Sequence, residues 1–341
     1  MARADIDWGN LGFAYRALPQ RYVANYRSGA WDEGGLTDDA TVAISECAGI
    51  LHYCQEVFEG LKAYETADGE IVTFRPDLNA ARMYDSAAYL EMPSFPQERF
   101  IAAVDAVVTA NRDYVPPYGS DASLYLRPLI FATGEVIGVK PAAAYQFRLF
   151  ATPVGPYFKG GVKPVRLCVS DFDRAAPHGT GHIKAGLNYA MSLHAYMITK
   201  AAGFDENMFL DAATHTYIEE TGGANFLFVT KDGTVVTPKS DSILPSITRR
   251  SLIYIAEHIL GMKVEERPIA LAELPSFAEC GLCGTAAVIS PVGSVTHGDK
   301  VISFPSGMEH MGPVLQQLYD MLRGIQLGTV EAPEGWIRKI C

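Results

Sequence analysis

Gly179-Thr180-Gly181-His182-Ile183-Lys184-Ala185-Gly186-Leu187-Asn188-Tyr189 sets one lysine in a run of small residues, with a tyrosine five positions on. An isolated lysine beside a turn is ordinarily a solvated surface group. Its company changes the reading: 35 residues later stands the pair Glu219-Glu220, inside Ile218-Glu219-Glu220-Thr221-Gly222-Gly223-Ala224-Asn225-Phe226. An amine, a phenol and a carboxylate so ordered are a candidate set for chemistry at a carbonyl.

Around that stretch the chain has 341 residues, 48% hydrophobic and 20% charged, with a formal net charge of −11. Such a length favours about two domains with substantial cores. The acidic balance argues against binding nucleic acid through phosphates, which needs a concentrated basic face. No apolar run approaches the roughly 18 residues of a spanning helix, and Met1-Ala2-Arg3-Ala4-Asp5-Ile6-Asp7-Trp8 lacks the apolar stretch of a secretion signal, so a cytoplasmic protein is expected. Six cysteines do not make a disulfide framework here, although Cys280 and Cys283 form a C-x-x-C pair that a redox or metal site could use.

Strand-like and helical periods alternate without repeats or low-complexity tracts, which predicts α/β or α+β architecture. Ile71–Phe74 reads as a strand, and Pro76-Asp77 opens a helix carrying Leu78, Ala81, Met83, Ala87 and Leu90. A second helix near 98–112 puts Phe100, Ala103, Val104, Val107 and Val108 on one face. Strands are expected at 125–131 and 146–151, and the Pro/Gly-rich segment 153–161 is the best domain linker. Beyond it, a helix over 192–202 stopped by Gly203 precedes strands at 208–210, 217–220, 226–230 and 234–237, the last pair joined by the Asp232-Gly233 turn.

Ile243-Leu244-Pro245-Ser246-Ile247-Thr248-Arg249-Arg250 then hands a turn to a helix reaching about Leu260, with Gly261 as its stop. A helix N-terminus offers unpaired N–H groups and a positive dipole end to an anion. Gly284-Thr285-Ala286-Ala287 is a second small loop with a hydroxyl. Lysine, tyrosine, glutamate and two phosphate-type loops are the parts a pyridoxal 5'-phosphate site needs.

With those parts in order, the chain resembles the fold-type IV pyridoxal-phosphate enzymes, and within them the branched-chain amino acid aminotransferases. The resemblance runs through His52-Tyr53-Cys54-Gln55-Glu56-Val57-Phe58-Glu59-Gly60-Leu61-Lys62-Ala63-Tyr64, Phe74-Arg75-Pro76-Asp77, Ala81-Arg82-Met83, Leu124-Tyr125-Leu126-Arg127-Pro128, the two stretches above, both loops, and Glu331-Ala332-Pro333-Glu334-Gly335-Trp336. It implies a small N-terminal α/β domain over 1–152, an interdomain loop over 153–162, and a large C-terminal pseudo-barrel domain over 163–341 that binds the cofactor. A cytoplasmic homodimer acting on small molecules, with neither nucleic acid nor membrane as partner, is expected. The reaction implied is transamination of L-leucine, L-isoleucine and L-valine with 2-oxoglutarate in two half-reactions. A D-amino acid aminotransferase, a lyase of an aminated chorismate derivative and a non-catalytic ligand-binding relative are the rivals.

Carried over residue by residue, the resemblance makes Lys184 the Schiff-base lysine and proton carrier, Tyr189 the partner of the ring O3′, and Glu220 the partner of the ring nitrogen. Glu219, its neighbour, is then expected in solvent or in a surface ion pair. Arg82 matches the phosphate arginine, with Ile247, Thr248 and Thr285 as further donors and Leu244 against the ring, while Arg75 is read as structural. Thr285 and Ala286 are implied at the substrate α-carboxylate. Tyr53, Phe58, Tyr125 and Tyr157 are implied as the side-chain pocket, and Arg127 either binds a distal carboxylate or braces a loop. His182, Ile183 and Leu187 depart from the family's small residues around the lysine, and Cys54 replaces a glycine, which leaves the substrate range more open than the cofactor.

Overall fold

The computed structural model describes residues 3–155 and 162–340; Tyr157 lies outside them. Two compact units are present. One comprises Met1–Tyr157, Ile183–Leu187 and Gly324–Cys341, the other Phe158–His182 and Asn188–Arg323.

In the first unit the strands include β1 (Arg21–Arg27), β2 (Glu56–Phe58), β3 (Leu61–Glu65), β4 (Ile71–Phe74), β5 (Ser123–Ala132) and β6 (Tyr145–Val154), with helices α1 (Pro76–Tyr89) and α2 (Gln97–Ala110) between β4 and β5. They form an antiparallel sheet in which β4, β3, β5, β6 and β1 are successive neighbours. The strand Ile337–Lys339 extends it by pairing with β4, and β2 pairs with β5. Gly69, at φ +78, makes the turn between β3 and β4.

Pro76 opens α1 at a first-turn position, where its missing N–H costs nothing. The buried face of that helix differs from the one expected from its apolar residues. Asn79, Ala80, Met83, Ser86 and Ala87 are inside, whereas Leu78 and Ala81 are half-buried. Two polar side chains can sit inward because each has a partner, described below, which satisfies the requirement on buried polar groups. Helix α2 buries Phe100, Ala103, Val104, Val107 and Val108, as its period predicts. Its core includes Phe95 stacked on Phe147 with ring centroids 4.0 Å apart.

In the second unit, β7 (Val165–Val169) is followed by α3 (Gly186–Ala201), β8 (Glu206–Met208), β9 (Asn225–Thr230), β10 (Val235–Pro238), α4 (Ile247–Tyr254), β11 (Val264–Arg267), β12 (Phe277–Gly284), β13 (Val288–His297) and β14 (Lys300–Ser303). Sheet order is β8-β7-β13-β12-β9-β10-β11, with β14 paired to β13. Parallel pairs (β7 with β8 and β13, β10 with β11) mix with antiparallel ones. Phe226, Phe228 and Phe277 stack through its core.

Several expected boundaries move. The helix expected from Ser192 starts at Gly186, six residues earlier. Residues 217–220 form isolated bridges rather than a strand: Tyr217 with Ala270, Ile218 with Leu210 and Glu220 with Asn225. The helix expected to reach Leu260 leaves α-geometry after Tyr254 and continues as one wider turn over Ile255–Ile259 before Gly261 at φ +63.

Candidate active site

In the first unit Ile183 and Ala185 are buried and Lys184 is half-buried between them. Alternation of that kind sends Lys184 to the face opposite its two neighbours. Bulky Ile183 is therefore an anchor in the core, and Leu187 packs against the same core. Three backbone contacts hold the segment. Lys184 N donates to Ser86 Oγ at 3.1 Å, its carbonyl accepts from Phe58 N at 3.0 Å, and Gly186 N donates to Glu56 Oε2 at 2.8 Å. The Lys184 ammonium nitrogen lies 4.7 Å from the centroid of the Phe58 ring.

That ring also carries Arg127, whose guanidinium is 4.8 Å from its centroid and 5.3 Å from that of Tyr125. Arg127 Nη2 donates to the Tyr125 hydroxyl at 3.0 Å, while its buried Nε has no hydrogen-bond partner. Gly60 makes room here, because a Cβ at 60 would overlap the Tyr125 hydroxyl. The Tyr53 hydroxyl donates instead to the carbonyl of Ile137.

Arg82, on α1, grips Glu59 with two donors, Nε to Oε1 at 2.7 Å and Nη2 to Oε2 at 2.8 Å. Glu59 is fully buried and also accepts from Asn79 Nδ2 at 2.7 Å. A forked pair with every oxygen bonded is the arrangement in which a buried ion pair holds its geometry. Arg75 stacks 4.5 Å over the Trp336 ring, and its N–H donates to the Trp336 carbonyl at 2.8 Å.

In the second unit Glu220 is 3% exposed. Its Oε1 accepts from Leu244 N at 2.9 Å and lies 2.5 Å from Arg174 Nη2, and its Oε2 accepts from Asn225 Nδ2 at 2.6 Å. Burial pushes this carboxyl up to about 7, against the pull of Arg174, the Leu244 N–H and Arg249. Arg174 is itself 5% exposed, donates to the carbonyls of Gly181 at 3.0 Å and Ser242 at 2.6 Å, and keeps a buried Nε without a partner.

Glu219 corrects the expectation of a solvated neighbour. It is 3% exposed, accepts from Ser240 Oγ at 2.7 Å, and is raised chiefly by burial. The two adjacent carboxylates take different partners, as alternation requires.

Ser246 caps α4 through Arg249 N at 3.2 Å. The first-turn N–H groups of Ile247 and Thr248 cannot be paired within the helix. Thr285, Ala286 and Ala287 form the turn between β12 and β13, all half-buried. A Cβ on Gly284 would lie 3.8 Å from the Gly223 carbonyl, which places this turn beside the loop that follows Glu220. Tyr189 occupies the first turn of α3, half-buried, and its carbonyl accepts from Ser192 Oγ at 3.0 Å.

Cys280 and Cys283 are buried thiols on β12, and burial pushes both up, Cys283 to about 12. Three residues apart on a strand, their Cα atoms are separated by roughly 10 Å, beyond the roughly 7 Å a disulfide spans. The pair is core packing.

Sequence reasoning misses Arg174 and Glu56. Arg174 stands alone in Ser170-Asp171-Phe172-Asp173-Arg174-Ala175, with no spacing to mark it. Glu56 is visible only as one letter of a longer motif.

The donor set suits pyridoxal phosphate. A buried carboxylate backed by an arginine matches a protonated ring nitrogen, and a capped helix start matches a phosphate. The amino-transferase class IV family model matches residues 56–295. A branched-chain-amino-acid aminotransferase of Haemophilus influenzae is 51% identical over 98% of this chain and 99% of its own length. The crystal structure of the Escherichia coli branched-chain amino acid aminotransferase superposes with a TM-score of 0.80 at 30% identity, covering 94% of this chain and 99% of that one. That of the Thermobaculum terrenum branched-chain amino acid aminotransferase, in its PLP form, gives 0.77 at 27% identity, covering 96% and 100%.

Proposed function

Because the chain belongs to the class IV aminotransferases, we propose that it transfers the amino group of L-leucine, L-isoleucine and L-valine to 2-oxoglutarate, with pyridoxal phosphate as cofactor. The observation that carries this is the near-complete, 51% identical match to a branched-chain aminotransferase. When bound, the cofactor supplies an aldehyde that an amine can take up and a ring that withdraws electrons.

Lys184 is the amine in this proposal: it would hold the cofactor at its aldehyde carbon and, as the free amine, would carry a proton from the substrate α-carbon. Its backbone bonds to Ser86 and Phe58 support that role by fixing where the amine starts. Glu220 holds the proton at the ring nitrogen. Arg174, 2.5 Å away, favours the ionised form that this needs. In this proposal Tyr189 would donate to the ring O3′, Leu244 would lie against the ring, and Arg82, Ile247, Thr248 and Thr285 would hold the phosphate.

The N–H groups at Thr285 and Ala286 would bind the α-carboxylate, and Tyr53, Phe58 and Tyr125 would line the side-chain pocket. Arg127 receives the distal carboxylate of glutamate or 2-oxoglutarate, a role that its unpartnered buried Nε supports. The same pocket takes an apolar side chain against Phe58 and Tyr125. Among the described residues no helix is long and apolar enough to cross a membrane. A cytoplasmic homodimer is part of the proposal.

An amino-donor panel tests the reading. L-Leucine, L-isoleucine and L-valine are expected to bleach the cofactor absorbance and 2-oxoglutarate to restore it. Bleaching by D-alanine alone would assign a D-amino acid aminotransferase instead.

A further inference from the structure

Glu56 has no part in the roles above, yet it lies against the lysine segment. It is on β2, two residues before Phe58, and its Oε2 accepts the Gly186 N–H at 2.8 Å. Strand β2 meets the same segment through the bridge of Val57 with Ala185 and the Phe58 N–H on the Lys184 carbonyl. A Cβ built at 186 would overlap Glu56 Oε2, so glycine at that position and glutamate at 56 are two halves of one fit. Burial raises the Glu56 carboxyl, opposed by the Gly186 N–H and by the charges of Arg127 and Lys184.

We propose that Glu56 is a positioning residue for Lys184: by accepting the Gly186 N–H and filling the space beside it, it fixes the backbone from which the amine reaches the cofactor. This rests on the reading of Lys184 as the cofactor lysine. What Glu56 contributes is a hydrogen-bond acceptor at a set distance from β2, which an amide oxygen of equal reach reproduces. A methyl group does not. The bulk of the carboxylate also explains why the chain keeps Gly186 at the start of α3, where alanine would otherwise be the better helix former.

Affinity of the full-length, cofactor-free protein for pyridoxal phosphate, read by absorbance, tests the proposal. Borohydride reduction and peptide mapping locate the labelled lysine, and thermal midpoints of the cofactor-free proteins report folding. Glu56→Gln is expected to stay within about threefold of the unaltered protein, and Glu56→Ala to bind about tenfold more weakly or worse, the loss of one hydrogen bond to a charged group. Gly186→Ala is expected to weaken binding too, and Gly186→Ala with Glu56→Ala to be no weaker than the worse single change, because both act on one contact.

Full affinity in Glu56→Ala, equal loss in Glu56→Gln and Glu56→Ala, or strictly additive losses in the double variant would each overturn it. If Glu56→Ala does not fold, the comparison of Gly186→Ala with Gly186→Ala/Glu56→Asp decides: the shorter acid withdraws from residue 186, so relief of the overlap supports the fit and none contradicts it. Labelling of a lysine other than Lys184 in the unaltered protein would instead remove the premise.

Discussion

Arg174 Nη2 sits 2.5 Å from Glu220 Oε1 in a setting where both side chains are almost fully buried. A carboxylate taken out of water favours its neutral form unless a charge faces it. With Arg174 on one oxygen and Asn225 on the other, Glu220 is set up to be ionised when a second cation, a protonated ring nitrogen, arrives.

Glu220→Gln should therefore cost far more turnover than Glu219→Gln, roughly 10²–10³-fold against less than tenfold, since only the first loses a charge used in the transition state. Steady-state kcat with L-leucine separates the two. A larger loss at Glu219 would put the catalytic carboxylate on the wrong neighbour.

Above a pH of about 7, where Glu220 is ionised, Arg174→Met leaves a buried carboxylate without its cation, which costs about 3–5 kcal/mol in a pair of this kind. The double variant Arg174→Met/Glu220→Gln should recover most of that stability. Denaturant midpoints of the cofactor-free proteins give the comparison, and no recovery in the double variant would mean that the pair is not coupled.

Stability should also depend on pH through Glu220. Its folded-state value is raised from 4.5 to about 7, so between those values the folded protein keeps a proton that the unfolded chain has lost. Stability from this group is complete below that window and declines as the pH rises through it. Glu220→Gln removes the titration, so the midpoint difference between the two cofactor-free proteins should move in the variant's favour across the window and level off above it. A difference constant with pH would mean that Glu220 is ionised throughout.

Arg127→Leu should raise KM for 2-oxoglutarate by about 10–100-fold, the worth of a charge-assisted hydrogen bond, while leaving KM for L-leucine within a few-fold. Equal effects on the two substrates would leave Arg127 with only its contacts to Phe58 and Tyr125.

The proposed site stands out in the sequence because the proposed chemistry demands rare residue types in a fixed order: a lysine among glycines, a tyrosine five positions on, a glutamate pair, two small loops. Periodicity gave α2 its buried face, since five apolar residues share one side. It failed on α1, where Asn79 and Ser86 face inward because Asn79 donates to Glu59 and Ser86 accepts the Lys184 N–H. Such partners are distant in sequence, and no period reports them. Glu219 was expected in solvent for a similar reason: alternation says that two neighbours diverge, not that the second face is wet. Arg174 reaches Glu220 and the carbonyls of residues 181 and 242, and Glu56 reaches the N–H of residue 186, partners distant in sequence that no spacing reports.

The central claim is that Lys184 carries the cofactor, and borohydride reduction of the holoprotein followed by peptide mapping tests it most directly. The account predicts a single reduced pyridoxyl adduct on Lys184, lost together with transamination in Lys184→Ala. An adduct on any other lysine, or full transamination by Lys184→Ala, would contradict it.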